Sequence, residues 1–232
     1  MPRLPPAALP AIALLVLGLG GCGPGTAPPT ATVPRNAPAA RTAPVRQLLP
    51  YNDRLDRRDL SSIDLVVVHC TELPTLAEAR EYGERILYAG TGTGNSGHYY
   101  VDRDGAVYQY VEDDRVAHHV AGHNPRSIGI ELVNRGRHPN WLHAAHQEMT
   151  EDYPPAQVAA LIDLIADLRR RLPGLAAIAR HSDLDPTWVP AVDDPARQVR
   201  RKVDPGPRLP WDRVVAASGL APVDGRPPGA TR

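Results

Sequence analysis

Three side chains set far apart in the chain have the chemistry of a metal site. His69 closes the apolar run Ile63-Asp64-Leu65-Val66-Val67-Val68, His181 follows the apolar run Leu175 to Ala179, and Asp204 opens an Asp204-Pro205-Gly206 turn. Zinc accepts imidazole nitrogens and carboxylate oxygens, and a catalytic site supplies three such ligands and leaves a position open for reaction. Each residue taken singly also reads as structural, the histidines as core residues and Asp-Pro-Gly as a turn that Pro and Gly favour whatever the function. Their joint placement carries the zinc reading, because functional groups gather where strands end in loops.

The elements that must position these groups are legible from periodicity. Ile63 to Cys70 reads as a buried central strand. Cys70, adjacent to His69, points to the opposite face and reads as a small buried hydrophobe. Leu76 to Leu87 is a helix candidate weakened by Gly83. His98 to Asp102 and Ala106 to Val111 alternate around Arg103-Asp104-Gly105, a hairpin signal because Asp-Gly supplies the positive φ of a tight turn. Ser127 to Val133 makes a further strand. Pro154-Pro155 opens a helix in which Val158, Leu161, Ile162, Ile165, Leu168 and Leu172 recur at helical spacing, and Pro173-Gly174 ends it. This order predicts an α/β (α+β) fold, a single domain with a central mixed β-sheet flanked by helices.

Composition narrows the function classes. The chain has 232 residues, 42% hydrophobic and 22% charged, with 26 basic and 26 acidic residues, so its formal net charge is zero. That balance, with no nucleic-acid-binding motif, argues against a nucleic-acid partner. No coiled coil or long amphipathic surface argues for assembly, so a monomer is expected.

Arg3 precedes an apolar stretch from Ala7 to Leu19 that ends in Leu19-Gly20-Gly21-Cys22. The stretch is shorter than the roughly 20 residues of a spanning helix, and Pro10 interrupts it. The tetrapeptide resembles a bacterial lipobox, which implies cleavage before Cys22 and lipidation of that cysteine. Several acyl chains on one residue hold a protein stably on a membrane. Gly23 to Pro50 carries seven prolines, three arginines and no acidic residue, the composition of an extended tether. The expected organisation is a lipoprotein signal peptide over 1–21, lipidated Cys22 and tether over 22–50, a catalytic domain over 51–220 and a flexible tail over 221–232.

Five blocks occur in order: Val67-Val68-His69-Cys70-Thr71, Gly97 to Gly105, His119-Val120-Ala121-Gly122-His123-Asn124, Ser127-Ile128-Gly129-Ile130-Glu131-Leu132, and His181-Ser182-Asp183 with Asp204-Pro205-Gly206. Together, over about residues 60 to 212, they resemble the zinc-dependent N-acetylmuramoyl-L-alanine amidases. That amidase type 2 family includes phage T7-type lysozyme and the animal peptidoglycan recognition proteins, and the lipobox is most similar to its AmiD-like outer-membrane lipoproteins. The resemblance implies one Zn2+ held by His69, His181 and Asp204, with Glu131 as the catalytic carboxylate and Lys202 as the basic residue that assists, a cation stabilising charge on the carbonyl oxygen. It implies hydrolysis of the amide between the lactyl group of N-acetylmuramic acid and L-alanine, in peptidoglycan or released muropeptides during cell-wall turnover. Gly23 after Cys22, in place of an aspartate, implies the periplasmic face of a Gram-negative outer membrane.

Further residues have competing readings. His119 corresponds to a histidine lining the substrate cleft, and Asn95 borders the same groove. His118, His119 and His123 also read as a second metal site or as polar surface. His98 reads as structural, and His143 and His146 as loop polarity. Thr187 to Gln198 form an insertion between His181 and Asp204, expected to loop out and to offer Trp188 to sugar or peptide as a groove wall. Asp183, Asp185, Asp193 and Asp194 lie nearer to His181 in the chain, but Lys202 and the Pro205-Gly206 turn travel with Asp204. The alternative to an enzyme is a non-catalytic peptidoglycan-binding module on the same fold. A zinc peptidase of the common type is excluded, since His-Glu-x-x-His is missing.

Overall fold

In the computed structural model, which describes residues 43–223, seven strands make one sheet: β1 (Val45–Arg46), β2 (Leu65–Cys70), β3 (Tyr99–Val101), β4 (Val107–Gln109), β5 (Ser127–Leu132), β6 (Ala177–Arg180) and β9 (Ala221–Pro222). Their order is β1-β4-β3-β5-β2-β6-β9. The β3–β4 hairpin is antiparallel and the other pairings are parallel, so the sheet is mixed as the sequence predicts. Helices α1 (Leu76–Glu84), α2 (Pro155–Arg171), α3 (His181–Leu184) and α4 (Trp211–Ser218) accompany it, and β7 (Trp188–Pro190) with β8 (Gln198–Arg200) forms a separate hairpin. The expected signal peptide (1–21), Cys22 and most of the tether, together with residues 224–232, lie outside the described residues.

The period of two along β2 assigns its faces. Val66, Val68 and Cys70 join Ile128, Ile130, Leu132 and Ile178 in a cluster with Val158, Leu161, Ile165 and Leu168 of α2. Each fully buried aliphatic side chain there contributes roughly 1.5–3 kcal/mol. Leu65 and Val67 face the other way, against Val120 and Ala179, and His69 follows in phase. Parallel register sets Leu65, Val67 and His69 beside Ser127, Gly129 and Glu131. The sheet therefore has one face for packing and one that carries polar chemistry at the carboxyl ends of its central strands.

Local signals explain the element ends. Thr75 caps α1 by accepting the Glu78 N–H at 3.1 Å. The helix stops at Glu84 rather than Leu87, where Arg85 turns extended. Ile86 and Leu87 are half exposed, so no burial rewards another turn. Gly105, at φ +90, makes the expected tight turn between β3 and β4. Strands β1 and β9, on either side of the 51–220 span, pair at the two sheet edges.

Candidate active site

His69 ends β2, and His181 opens α3 directly after β6, the neighbouring strand. Their Nδ1 atoms lie 2.9 Å apart. Asp204 Oδ2 sits 3.2 Å from the first and 3.0 Å from the second. The three residues are buried, and among the described residues they are the one group of three His, Cys, Asp or Glu side chains placed to hold a metal ion. Oδ1 of Asp204 is buried with no hydrogen-bond partner, a costly state for a carboxylate oxygen unless a cation meets it. Two imidazole nitrogens, a carboxylate and an orphaned oxygen at one point suit zinc. The structure does not gather His118, His119 and His123 into such a group.

The insertion returns Asp204 to the site. Strands β7 and β8 pair as an antiparallel hairpin, and the Ser182 N–H donates to the Asp204 carbonyl at 3.0 Å. The other aspartates are engaged elsewhere. Asp183 takes the Arg180 guanidinium, Asp185 the Thr187 N–H, Asp193 the Ala144 N–H, and Asp194 the Ala196 N–H.

Glu131 lies on β5 directly beside His69, its Oε1 3.9 Å from Nδ1. Burial and the Asp204 charge push its carboxyl up to about 8, and the Lys202 ammonium opposes them. Burial, then the neighbouring His181, lowers His69 to about 4, which keeps a neutral ring ready to ligate. Burial works against ionised Asp204, but His181 and His69 outweigh it and hold the carboxyl well below its ordinary range.

These groups line a cleft of about 530 Å³ that also takes in Asn95, His119 and Lys202. Trp188 does not line it. In the hairpin Val189 pairs with buried Val199 and Trp188 with Arg200, and alternation puts Trp188 on the face opposite Val199. The Trp188 ring is consequently 59% exposed, beside the Arg200 guanidinium. The cleft's tryptophan is Trp141, whose Nε1–H donates to the Glu72 carbonyl at 3.0 Å.

Several contributors escape a reading by motif. A Cβ on Gly97 would come within 2.8 Å of Glu131 Cγ, and one on Gly129 within 2.6 Å of the His119 ring, so both glycines clear space for site side chains. Both stand in the matched blocks, where a chemical role for an absent side chain leaves no sign. Arg137 forms a buried pair with Glu72 (2.7 and 2.9 Å) and donates to the carbonyls of Arg200 and Arg201.

His98 is structural, as expected. The Gly129 N–H donates to its Nδ1 at 3.0 Å, and its Nε2–H donates to the Arg115 carbonyl at 3.1 Å. Burial, then the adjacent Arg58, holds its pKa well below the usual 6.5. The unfolded chain therefore binds a proton that the native chain refuses, and stability present above pH 6.5 is lost as pH falls below it. The urea midpoint is expected to drop between pH 7 and pH 5, with a smaller drop in His98→Gln. An equal drop in both would assign the effect elsewhere.

Residues 59–207 match the amidase type 2 family, described as N-acetylmuramoyl-L-alanine amidase. The chain belongs to this family. This family member is 40% identical over 92 residues to the N-acetylmuramoyl-L-alanine amidase AmiD of Escherichia coli (strain K12), which is 40% of this chain and 28% of that protein. It is 31% identical over 96 residues to an endolysin of Klebsiella phage KP32, 41% of this chain and 58% of the endolysin. The chain thus spans less than two thirds of these curated relatives. Among solved structures, AmpD superposes with TM-score 0.53 at 26% identity, covering 75% of this chain and 93% of AmpD. E. coli AmiD in complex with the substrate anhydro-N-acetylmuramic acid-L-Ala-D-gamma-Glu-L-Lys gives 0.50 at 26% identity, covering 69% and 58%. The Clostridium intestinale amidase LysC shares the fold, with TM-score 0.54 at 20% identity, covering 77% of this chain and 99% of LysC.

Proposed function

We propose that this protein is a zinc-dependent amidase that cleaves the bond between the lactyl carbonyl of N-acetylmuramic acid and the nitrogen of L-alanine in peptidoglycan or its fragments. The observation that carries the reading is the convergence of His69, His181 and Asp204, with its orphaned oxygen, beside Glu131 at one end of a cleft. The substrate in the E. coli AmiD complex contains that bond.

His69, His181 and Asp204 would hold the ion. Bound there, zinc supplies Lewis acidity to the scissile carbonyl and to the attacking water. Glu131 takes the water's proton at its carboxylate and returns it to the departing alanine nitrogen, as the new C–O bond forms and the C–N bond breaks. Lys202 brings positive charge to the oxygen that becomes negative as the water adds. Asn95 and His119 on the cleft wall face the substrate. The same reading makes the protein a monomeric lipoprotein on the periplasmic side of a Gram-negative outer membrane, working in cell-wall turnover and recycling. Its support there is the Leu19-Gly20-Gly21-Cys22 tetrapeptide and the proline-rich tether.

Digestion of purified muropeptides, read by mass spectrometry, tests the bond. The zinc-loaded chain is expected to release free stem peptide, and an intact lactyl-alanine amide would defeat the reading. Elemental analysis should find about one zinc per chain, the single-ion count of a three-ligand catalytic site. Asp204→Ala is expected to lose the zinc and the activity together. In Gly97→Ala, the Cβ against Glu131 should lower kcat on the order of 100-fold, the cost of misplacing a reacting group by about 1 Å, and should leave zinc content unchanged.

A further inference from the structure

We infer that His119 is a positioning residue that, with Ser127, fixes the ring tautomer of His69 and so aims the Nδ1 lone pair at the metal. The inference rests on the metal reading of His69 given above.

The argument follows hydrogens outward from a single hydroxyl. Ser127 is buried, and its Oγ–H donates to the His123 carbonyl at 2.8 Å. A hydroxyl has one hydrogen. Toward His119 Nε2, 3.2 Å away, Ser127 Oγ can only accept, so that nitrogen carries a proton. In a neutral ring the opposite nitrogen, Nδ1, is then an acceptor. It lies 2.9 Å from Nε2 of His69, which must be the donor. With its proton on Nε2, the neutral His69 ring keeps Nδ1 bare, and Nδ1 is the atom that faces His181 and Asp204.

A neutral His119 with its proton on Nδ1 instead would donate to His69 and leave His69 Nε2 as the acceptor, and it would have no proton on Nε2 to give Ser127 Oγ. The neutral His69 ring would then carry its proton on Nδ1, where a metal ion must sit. The two tautomers of His69 thus correspond to a competent and a blocked site, and the hydroxyl of Ser127 selects between them.

The surroundings hold His119 for this task. Asn124 Oδ1 accepts the backbone N–H groups of His119 at 3.0 Å and Val120 at 2.7 Å, which fixes the loop. Gly129 leaves the space its ring occupies, and the rings of His119 and His69 meet edge to face at 5.1 Å between centroids. Ser127, Gly129 and Glu131 share one strand face through the register of β5 with β2. One strand therefore supplies the selector, the space and the general base.

Leu and Asn have nearly the same shape as each other, and only Asn offers an acceptor where Nδ1 of the imidazole lies. Zinc affinity by chelator competition is expected to fall about 10- to 100-fold in His119→Leu, as on loss of a partner to a metal-ligating histidine, and to return to within a few fold of wild type in His119→Asn. Long-range proton–nitrogen correlation of the zinc-loaded wild type should find His119 protonated on Nε2 and bare on Nδ1, and it needs no variant to fold. Wild-type affinity in His119→Leu, or a proton on His119 Nδ1, would overturn the proposal. A wild-type chain that takes up no zinc would instead sink the metal reading, and the same spectrum of the metal-free chain would still decide the tautomers.

Discussion

Glu131→Gln is expected to lower kcat by about 10²- to 10⁴-fold, the span of a lost general base, with zinc content and KM nearly unchanged. The amide keeps the shape of the side chain against Gly97 and loses the ability to take a proton. Its effect on stability should run the other way. In the metal-free protein, burial and Asp204 raise the Glu131 carboxyl from 4.5 to about 8. The protonated form is the one the fold prefers, so this stability is full below pH 4.5 and is lost as pH rises toward 8. Thermal melts of metal-free wild type should show that loss, and Glu131→Gln should escape it. Zinc should remove the dependence as well, because a cation beside the carboxylate favours its charged form. Equal pH profiles for variant and wild type without metal would place the raised group elsewhere.

Arg137→Met should be the most damaging substitution outside the ligand set. Its side chain is 1% exposed and that of Glu72 9%. Removing the guanidinium leaves a buried carboxylate without its partner, a loss of about 3–5 kcal/mol. For a domain of this size that lowers the melting midpoint by roughly 10 °C. The damage should reach the metal as well. Arg137 holds the Arg200 and Arg201 carbonyls, which lead directly into Lys202 and Asp204, so zinc affinity should fall along with stability. The double variant Glu72→Gln/Arg137→Met separates the two effects. Removal of the stranded charge should recover much of the melting temperature, and zinc affinity should stay low because the clasp on the hairpin is still missing. Full recovery of both would show that Arg137 serves the pair alone.

The sheet was legible because its pattern is strong. Val66, Val67 and Val68 admit little but a buried strand, and Asp104-Gly105 forces a turn. His69 and Glu131 were found by motif, and the register of two parallel strands explains why residues 62 positions apart in the chain stand side by side. What the sequence concealed are partnerships with no period. Arg137 and Glu72 are 65 positions apart, and each reads as ordinary surface charge until the fold closes over both. Trp188 invited a role in the groove because tryptophans stack on sugars, whereas hairpin alternation alone decided where it points. The serine that orients His119 carries no signal at all, since a hydroxyl in a strand is usually a neutral choice.

The Ser182 N–H contact with the Asp204 carbonyl means that the chain leaves the site and re-enters it through a narrow neck. Closing a longer loop costs only about 0.6 kcal/mol for each doubling of its length, so the outer part of the excursion, beyond the Arg200, Arg201 and Lys202 that serve the site, can vary in length at little cost. Its outer turn beyond Pro190, with Val192 turned to solvent, behaves as a replaceable attachment. New recognition surface can be grafted there or trimmed away while the Ser182–Asp204 contact still closes the neck beside the reaction centre.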